Sequence, residues 1–248
     1  MQTRTGSVRS GQSPFRLNIG WHSKRLYIEN RNDMKEIINV YLRFFLVIPF
    51  AISNCYHSKK DDLSILTLLS QNAPPVRVTI VGDSLSQWSD SFNLRQKLPS
   101  SYTITDVSRA GYDTIMWLED LALAEAIATD IYIVEIGTND ASYNGSRDFL
   151  NRYSQIIRRL EQRSNSFLIL TAVPKTNQTG LHEAIQTNNT SIREFVKTNG
   201  RYRLADLELV FTSASENLTL YPITDPIHPN LIGYNLIGEE YRKILLGL

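Results

Sequence analysis

The sequence predicts an α/β fold, a three-layer α/β/α sandwich built around a five-stranded parallel sheet. From residue 76 onward, short apolar runs rich in β-branched residues alternate with longer segments whose apolar residues recur at spacings of three and four. Strands and helices that alternate in this way form parallel strands with right-handed crossovers and helices on both faces of the sheet. No internal repeat or further boundary interrupts the pattern, so we expect one domain over residues 76–248.

Each element has its own pattern. The five predicted strands are residues 76–81, 102–107, 131–136, 167–171 and 202–207. The predicted helices are residues 114–128, 147–163, 183–197 and 231–246. The second of these helices carries one apolar stripe that predicts a core-facing surface without chemistry, formed by Phe149, Tyr153, Ile156, Ile157 and Leu160.

Charge and cysteine content exclude several classes of protein. The 248 residues contain 26 Lys and Arg and 25 Asp and Glu, so no strong positive field attracts nucleic acid, and we expect no nucleic-acid partner. Residues 1–54 hold eight basic and three acidic side chains, whereas residues 55–248 hold 18 and 22, which indicates a boundary near residue 55. A single cysteine, Cys55, excludes an intrachain disulfide framework and a zinc cluster of several thiolates.

The segment before Cys55 has the layout of a secretory signal. Residues 1–33 are rich in Ser, Arg, Gly and Asn and are predicted to be unstructured. From Met34, two basic residues precede an apolar run of about ten residues, and small or polar residues follow it. This run is too short for a membrane-spanning helix, which needs about twenty residues. A buried hydrophobic helix with an incidental cysteine is the alternative.

The end of that segment, Ile52-Ser53-Asn54-Cys55, resembles a bacterial lipobox, with Asn54 in place of the usual Gly or Ala. The resemblance implies that residues 34–54 are a cleaved lipoprotein signal peptide, that Cys55 carries lipid, and that residues 55–75 are a tether. The expected location is then the bacterial cell envelope, anchored to a membrane. Because a signal sequence cannot function normally behind 33 polar residues, we expect Met34 to be the true start and residues 1–33 an upstream extension.

Polar residues follow the predicted strands at the ends where such folds bind ligands. Ser84 stands at a strand-to-helix turn, which exposes a nucleophilic hydroxyl near a helix N-terminus that favours negative charge. The Gly111 N–H and the Asn139 amide, after the next two strands, suit an oxyanion. Asp225 precedes His228 by three residues in a proline-stiffened loop, so its carboxylate can accept Nδ1–H while Nε2 faces the serine.

Four segments resemble the conserved blocks of the SGNH hydrolases, also called the GDSL esterase and lipase family. They are Gly82-Asp83-Ser84, the loop with Gly111, Gly137-Thr138-Asn139-Asp140 and Asp225-Pro226-Ile227-His228-Pro229-Asn230. The likeness runs from about residue 76 to the C-terminus and implies a flavodoxin-like sheet. It implies Ser84 as nucleophile, Asp225 and His228 as the rest of the triad, and the Ser84 and Gly111 N–H groups with the Asn139 amide as the oxyanion hole. The second block departs from the family, because Ser108-Arg109-Ala110 lacks the usual Asn.

The resemblance implies a serine esterase that hydrolyses carboxylic esters through an acyl-enzyme. Without a visible long apolar lid, we expect short acyl groups, such as O-acetyl on glycans or small lipid esters. An acyltransferase, a lysophospholipase and a lipid-anchored binding module with little turnover are the alternatives. No further Asp, Glu or His cluster indicates a metal site, and we expect no metal, no cofactor and a monomer.

Other polar and aromatic residues near these loops allow two interpretations each. We expect Asp83 and Asp140 to fix turns through side-chain to backbone hydrogen bonds. Four aromatic residues could stack on a sugar or line an acyl pocket, or else pack in the core: Trp88, Tyr112, Trp117 and Tyr143.

Overall fold

The computed structural model describes residues 74–163, 166–215 and 218–248. Its five parallel strands are β1 (Val76–Gly82), β2 (Tyr102–Asp106), β3 (Ile131–Glu135), β4 (Phe167–Ala172) and β5 (Arg203–Asp206). They lie in the order β2-β1-β3-β4-β5, which is the flavodoxin-like arrangement. The predicted α/β fold with a five-stranded parallel sheet is confirmed.

Several predictions fall on residues that the structure does not describe. Outside the described residues lie the predicted extension 1–33, the predicted signal peptide 34–54 and Cys55. The predicted tether, residues 55–75, also lies outside them except for its last two residues. Within the described ranges, no helix is both long enough and apolar enough to cross a membrane.

The helices in chain order are α1 (Ser84–Trp88), α2 (Leu94–Lys97), α3 (Thr114–Asp120), α4 (Ala122–Glu125), α5 (Thr138–Asn144), α6 (Phe149–Arg163), α7 (His182–Asn199), α8 (Leu207–Ala214) and α9 (Leu231–Leu246). The prediction of one helix over residues 114–128 is wrong, because two short helices stand there and the second ends at Glu125. The predicted strand 202–207 ends one residue early, since the Asp206 side chain caps α8 by accepting the N–H of Leu209 at 3.1 Å.

Successive residues of the strands face two separate cores, which makes the sheet the middle layer of three. On one face, Ile80 and Ile133 pack against α9 residues such as Ile237 and Tyr241. On the other face, apolar residues of the strands pack against the predicted stripe of α6, and every member of that stripe is buried: Phe149, Tyr153, Ile156, Ile157 and Leu160. Burial on both faces explains why the central strands read as continuous apolar runs.

Candidate active site

The turn between β1 and α1 holds Ser84 in a fixed position. Asp83 caps α1, because its Oδ1 accepts the Leu85 N–H at 2.8 Å, so the turn-fixing role predicted for Asp83 agrees with its contacts. Gly82 is required before it, since a Cβ at that residue would lie 2.3 Å from the Ser86 Oγ. The serine hydroxyl is thereby presented at the carboxyl end of β1.

A continuous hydrogen-bonded chain joins Ser84, His228 and Asp225 across 144 residues of sequence. The Ser84 Oγ lies 2.9 Å from the His228 Nε2, and the His228 Nδ1 lies 2.8 Å from the Asp225 Oδ2. The structure therefore brings together the three residues that the sequence proposed as a triad, with each nitrogen of the imidazole facing the expected partner.

The Asp225 carboxylate is held by backbone donors of its own loop. Its Oδ1 accepts the N–H groups of Ile227 at 3.0 Å and of His228 at 2.9 Å. Burial favours a higher pKa for Asp225, but these hydrogen bonds together with that from His228 outweigh burial and lower the pKa. Asp225 is thus kept ionised, and a carboxylate is a good acceptor for the hydrogen bond from the imidazole N–H.

The Asn139 amide lies between the turn of Ser84 and the loop of Gly111. Its Nδ2 donates to the Tyr112 carbonyl oxygen at 3.0 Å and to the Asp83 Oδ2 at 3.3 Å. Gly111 has a φ of +81°, a conformation that strains residues with side chains. The three predicted oxyanion donors therefore belong to loops that contact one another at this end of the sheet.

Two buried carboxyl groups lie beneath the serine turn. Burial raises the pKa of Asp83 to about 7, and burial together with the nearby Asp83 raises the pKa of Glu135 well above its usual value. The Glu135 Oε1 and the Ser108 Oγ are buried without a hydrogen-bond partner. Sequence reasoning missed Glu135, although a carboxylate within the apolar strand β3 was a signal that could have identified it.

Asp140 links two loops, whereas the sequence predicted that it fixes a turn. It accepts hydrogen bonds from the backbone N–H of Thr114 at 3.1 Å and from the Thr114 hydroxyl, so it anchors the start of α3. The Arg152 guanidinium lies 3.4 Å from it. Burial raises the pKa of Asp140, and the bonds from Thr114 and Arg152 oppose that rise.

The four aromatic residues near the loops divide into two pairs. Trp117 is fully buried and its Nε1 donates to the Gly82 carbonyl at 3.1 Å, and Tyr112 packs edge-on against it, so both belong to the core. Trp88 and Tyr143 are exposed, at 59% and 55% of their surface. The Trp88 ring lies against His228, with ring centroids 4.2 Å apart.

Two cavities lie near these loops. One, of about 450 Å³, includes Asn177 in its lining, and the Asn177 N–H donates to the Pro226 carbonyl in the loop of the predicted triad at 2.7 Å. The other, of about 430 Å³, is lined by Ile115, Tyr143, Asn144, Arg147 and Arg152. Both volumes fall in the lower range of small-ligand pockets. The described residues contain no group of three or more His, Cys, Asp or Glu placed to hold a metal ion.

Comparison with known sequences identifies the family. The profile of the GDSL-like lipase and acylhydrolase family matches residues 80–236, which include every candidate catalytic and oxyanion-hole residue described above. The chain therefore belongs to this family, and the predicted enzyme class, a carboxylic ester hydrolase, is confirmed. No curated protein matches the chain.

Solved structures of other proteins share the fold at low sequence identity. A member of the lipolytic G-D-S-L family from Veillonella parvula is 14% identical, with a TM-score of 0.60, over 70% of this chain and all of its own. An acetylxylan esterase from Geobacillus stearothermophilus is 14% identical, with a TM-score of 0.56, over 69% of this chain and 94% of its own. A carbohydrate esterase of family 3 from Talaromyces cellulolyticus is 16% identical, with a TM-score of 0.53, over 69% and 97%.

Proposed function

We propose that this protein is a serine esterase that removes short acyl groups, such as O-acetyl from glycans or the acyl group of small lipid esters, through an acyl-enzyme. The observation that carries the proposal is the chain of contacts from the Ser84 Oγ to the His228 Nε2 at 2.9 Å and from the His228 Nδ1 to Asp225 at 2.8 Å. This geometry is what activation of a serine hydroxyl by a histidine requires.

In the first half of the proposed reaction, the His228 Nε2 takes the hydroxyl proton as the Ser84 Oγ attacks the ester carbonyl carbon. The N–H groups of Ser84 and Gly111 and the Asn139 amide stabilise the resulting oxyanion. The tetrahedral intermediate then collapses, the bond to the leaving alcohol breaks, and His228 returns the proton to the alcohol oxygen. The acyl group is left on Ser84.

In the second half, His228 takes a proton from water, whose oxygen attacks the acyl carbonyl carbon. The second tetrahedral intermediate releases the carboxylic acid, and the Ser84 Oγ recovers its proton from His228. Asp225 stays ionised throughout, holding the Nδ1–H and stabilising the imidazolium that forms in each half.

The names of proteins that share this fold support the preference for short acyl groups. The acetylxylan esterase and the carbohydrate esterase of family 3 have the same fold as this chain, and both act on carbohydrate substrates according to their names.

Substitution of the nucleophile tests the proposal. Ser84→Ala removes the attacking oxygen, and we expect hydrolysis of p-nitrophenyl acetate to fall to background and labelling by a fluorophosphonate probe to disappear. Ser101→Ala, which changes an exposed serine before β2, is the matched control and keeps both activities. Turnover by Ser84→Ala close to that of the unaltered protein would overturn the assignment.

Acyl-chain profiling tests the substrate class. Hydrolysis rates of p-nitrophenyl esters from acetate to dodecanoate, and acetate release from acetylated xylan, are measured with the same preparation. We expect the highest kcat/KM for acetyl or propionyl esters. A steady rise towards the dodecanoate would refute the short-acyl preference, and acetyl transfer to an added alcohol would identify an acyltransferase.

We also propose that lipid on Cys55 attaches the enzyme to a membrane of the cell envelope. The support is the order of basic residues, apolar run and Ile52-Ser53-Asn54-Cys55 in the sequence alone. More than one acyl chain on such a cysteine gives stable anchoring. Mass spectrometry of the native protein tests this: we expect Cys55 as a lipidated N-terminus, and an unmodified Cys55 within a longer chain would refute it.

A further inference from the structure

Trp88 lies close to two members of the proposed triad, Ser84 and His228. It is the fourth residue after Ser84 and ends the same short helix, α1, so both side chains lie on one side of that helix. Its ring centroid lies 4.2 Å from that of His228, with the two planes inclined by 39°. The nucleophile and a ring that touches the base are therefore one helical turn apart.

Core packing does not account for this contact. The indole of Trp88 is 59% exposed, whereas Trp117, which does pack in the core, is fully buried. Large aromatic side chains gain most of their stabilisation from burial, which Trp88 lacks. The ring contact of Trp88 is with the imidazole of His228.

We propose that Trp88 is a positioning residue for His228, and that its π face stabilises the imidazolium form of that histidine. This inference rests on the proposed function. A neutral imidazole gains only ordinary ring contact from the indole, whereas a protonated imidazole is also attracted by the negative π face. Because His228 becomes positive only as Ser84 attacks, the extra attraction is present in the transition state and absent from the ground state.

The other groups in and around the loop of His228 set the background for this effect. On its own loop, Asp225 bonds the Nδ1 and is the charged partner; from α1, the neutral Ser84 hydroxyl faces the Nε2. Tyr234 of α9, a neighbour of Asp225, has a buried hydroxyl without a partner, and burial and the nearby carboxylates raise its pKa, so it stays neutral. Of these groups, Asp225 favours the cation by its charge and Trp88 by its π face.

Substitutions at Trp88 separate this role from simple packing. Trp88→Ala and Trp88→Leu both remove the π face, whereas Trp88→Phe keeps one. We expect Ala and Leu to lower kcat/KM for p-nitrophenyl acetate about two- to fivefold, mainly through kcat, and Phe to recover part of the loss. We also expect the acid limb of the kcat/KM profile to lie about half a pH unit lower in the Ala and Leu variants, because the protonated imidazole loses its stabilising ring.

Leu209→Ala is the matched control, because Leu209 is a large apolar residue on α8 that is exposed to a similar degree, at 61%, and is not part of the site. We expect its acid limb to stay where it is in the unaltered enzyme. An unshifted acid limb in Trp88→Leu would overturn the proposal. An increase in KM with unchanged kcat would also overturn it, because Trp88 would then contribute to substrate binding. Failure of the proposed function is distinguishable, since the unaltered protein would then lack both turnover and fluorophosphonate labelling.

Discussion

Asn139 uses both hydrogens of its amide nitrogen within the protein. The bond to the Tyr112 carbonyl is 3.0 Å long, and the bond to the Asp83 Oδ2 is longer, at 3.3 Å. An oxyanion that accepts from this amide would replace the longer bond at lower cost. In the proposed mechanism, Asp83, whose pKa burial raises to about 7, would be the group that gives up a hydrogen bond.

Asn139→Ala tests this role at the scale of one residue. Loss of one oxyanion donor costs about 3 kcal/mol of transition-state stabilisation, so we expect kcat for p-nitrophenyl acetate to fall roughly 10²- to 10³-fold with little change in KM. Asn151→Ala, at an exposed position of α6, is the control and keeps its activity. An unchanged kcat with a raised KM would instead assign Asn139 to substrate binding.

At the scale of elements, the helices with clear capping residues and a clear apolar period were the ones that the sequence predicted well. The last helix was predicted with its observed bounds, because Asn230 caps it through bonds to the N–H groups of Ile232 and Gly233 at 2.9 and 3.1 Å. The start of α1 at Ser84 was expected but its length was not, and the short helices α5 and α8, which also follow strands, were not predicted. Stretches of five to eight residues are too short to show a period of 3.6.

The packing of α9 against the segment before α2 provides a test at this scale. A Cβ at Gly238 would lie 2.3 Å from the Phe92 carbonyl oxygen, so the helix can approach this segment only with glycine there. Gly238→Ala should therefore lower the free energy of unfolding by about 1–3 kcal/mol through overpacking. Urea denaturation followed by circular dichroism measures the change.

Gly180→Ala is the matched control, because a Cβ at Gly180 would meet nothing within 4 Å. Equal stability of the two variants would show that α9 moves freely away from Phe92. Since the loop of Asp225 and His228 leads directly into α9, we also expect Gly238→Ala to lower kcat/KM.

At the scale of the whole molecule, the buried Glu135 makes stability depend on pH. Burial and the nearby Asp83 raise its folded-state pKa well above 4.5. Below about pH 4.5 the carboxyl is protonated in both states and its contribution is fully present. As pH rises, the unfolded chain releases the proton first, so the free energy of unfolding falls by up to about 1.4 kcal/mol per pH unit until the folded-state pKa is passed.

Glu135→Gln removes this titration while keeping the size of the side chain. We expect the loss of stability between pH 5 and pH 8 to be smaller in this variant than in the unaltered protein by at least about 1 kcal/mol. Urea denaturation at both pH values measures the difference. Glu119→Gln, at an exposed glutamate of α3, should keep the original dependence, and the same dependence in Glu135→Gln would mean that Glu135 is ionised in the folded protein.

The sequence by itself determined the alternation of strands and helices, the parallel sheet and the residue types that follow each strand, because these depend on local period and on short motifs. The tertiary structure decided which buried groups surround the serine and which aromatic residue touches the base. Glu135 lies 49 residues from Ser86, which donates to it at 3.4 Å, and Trp88 lies 140 positions before His228. Contacts between residues so far apart in the chain are created when the strands align and the loops meet, and no local pattern encodes them.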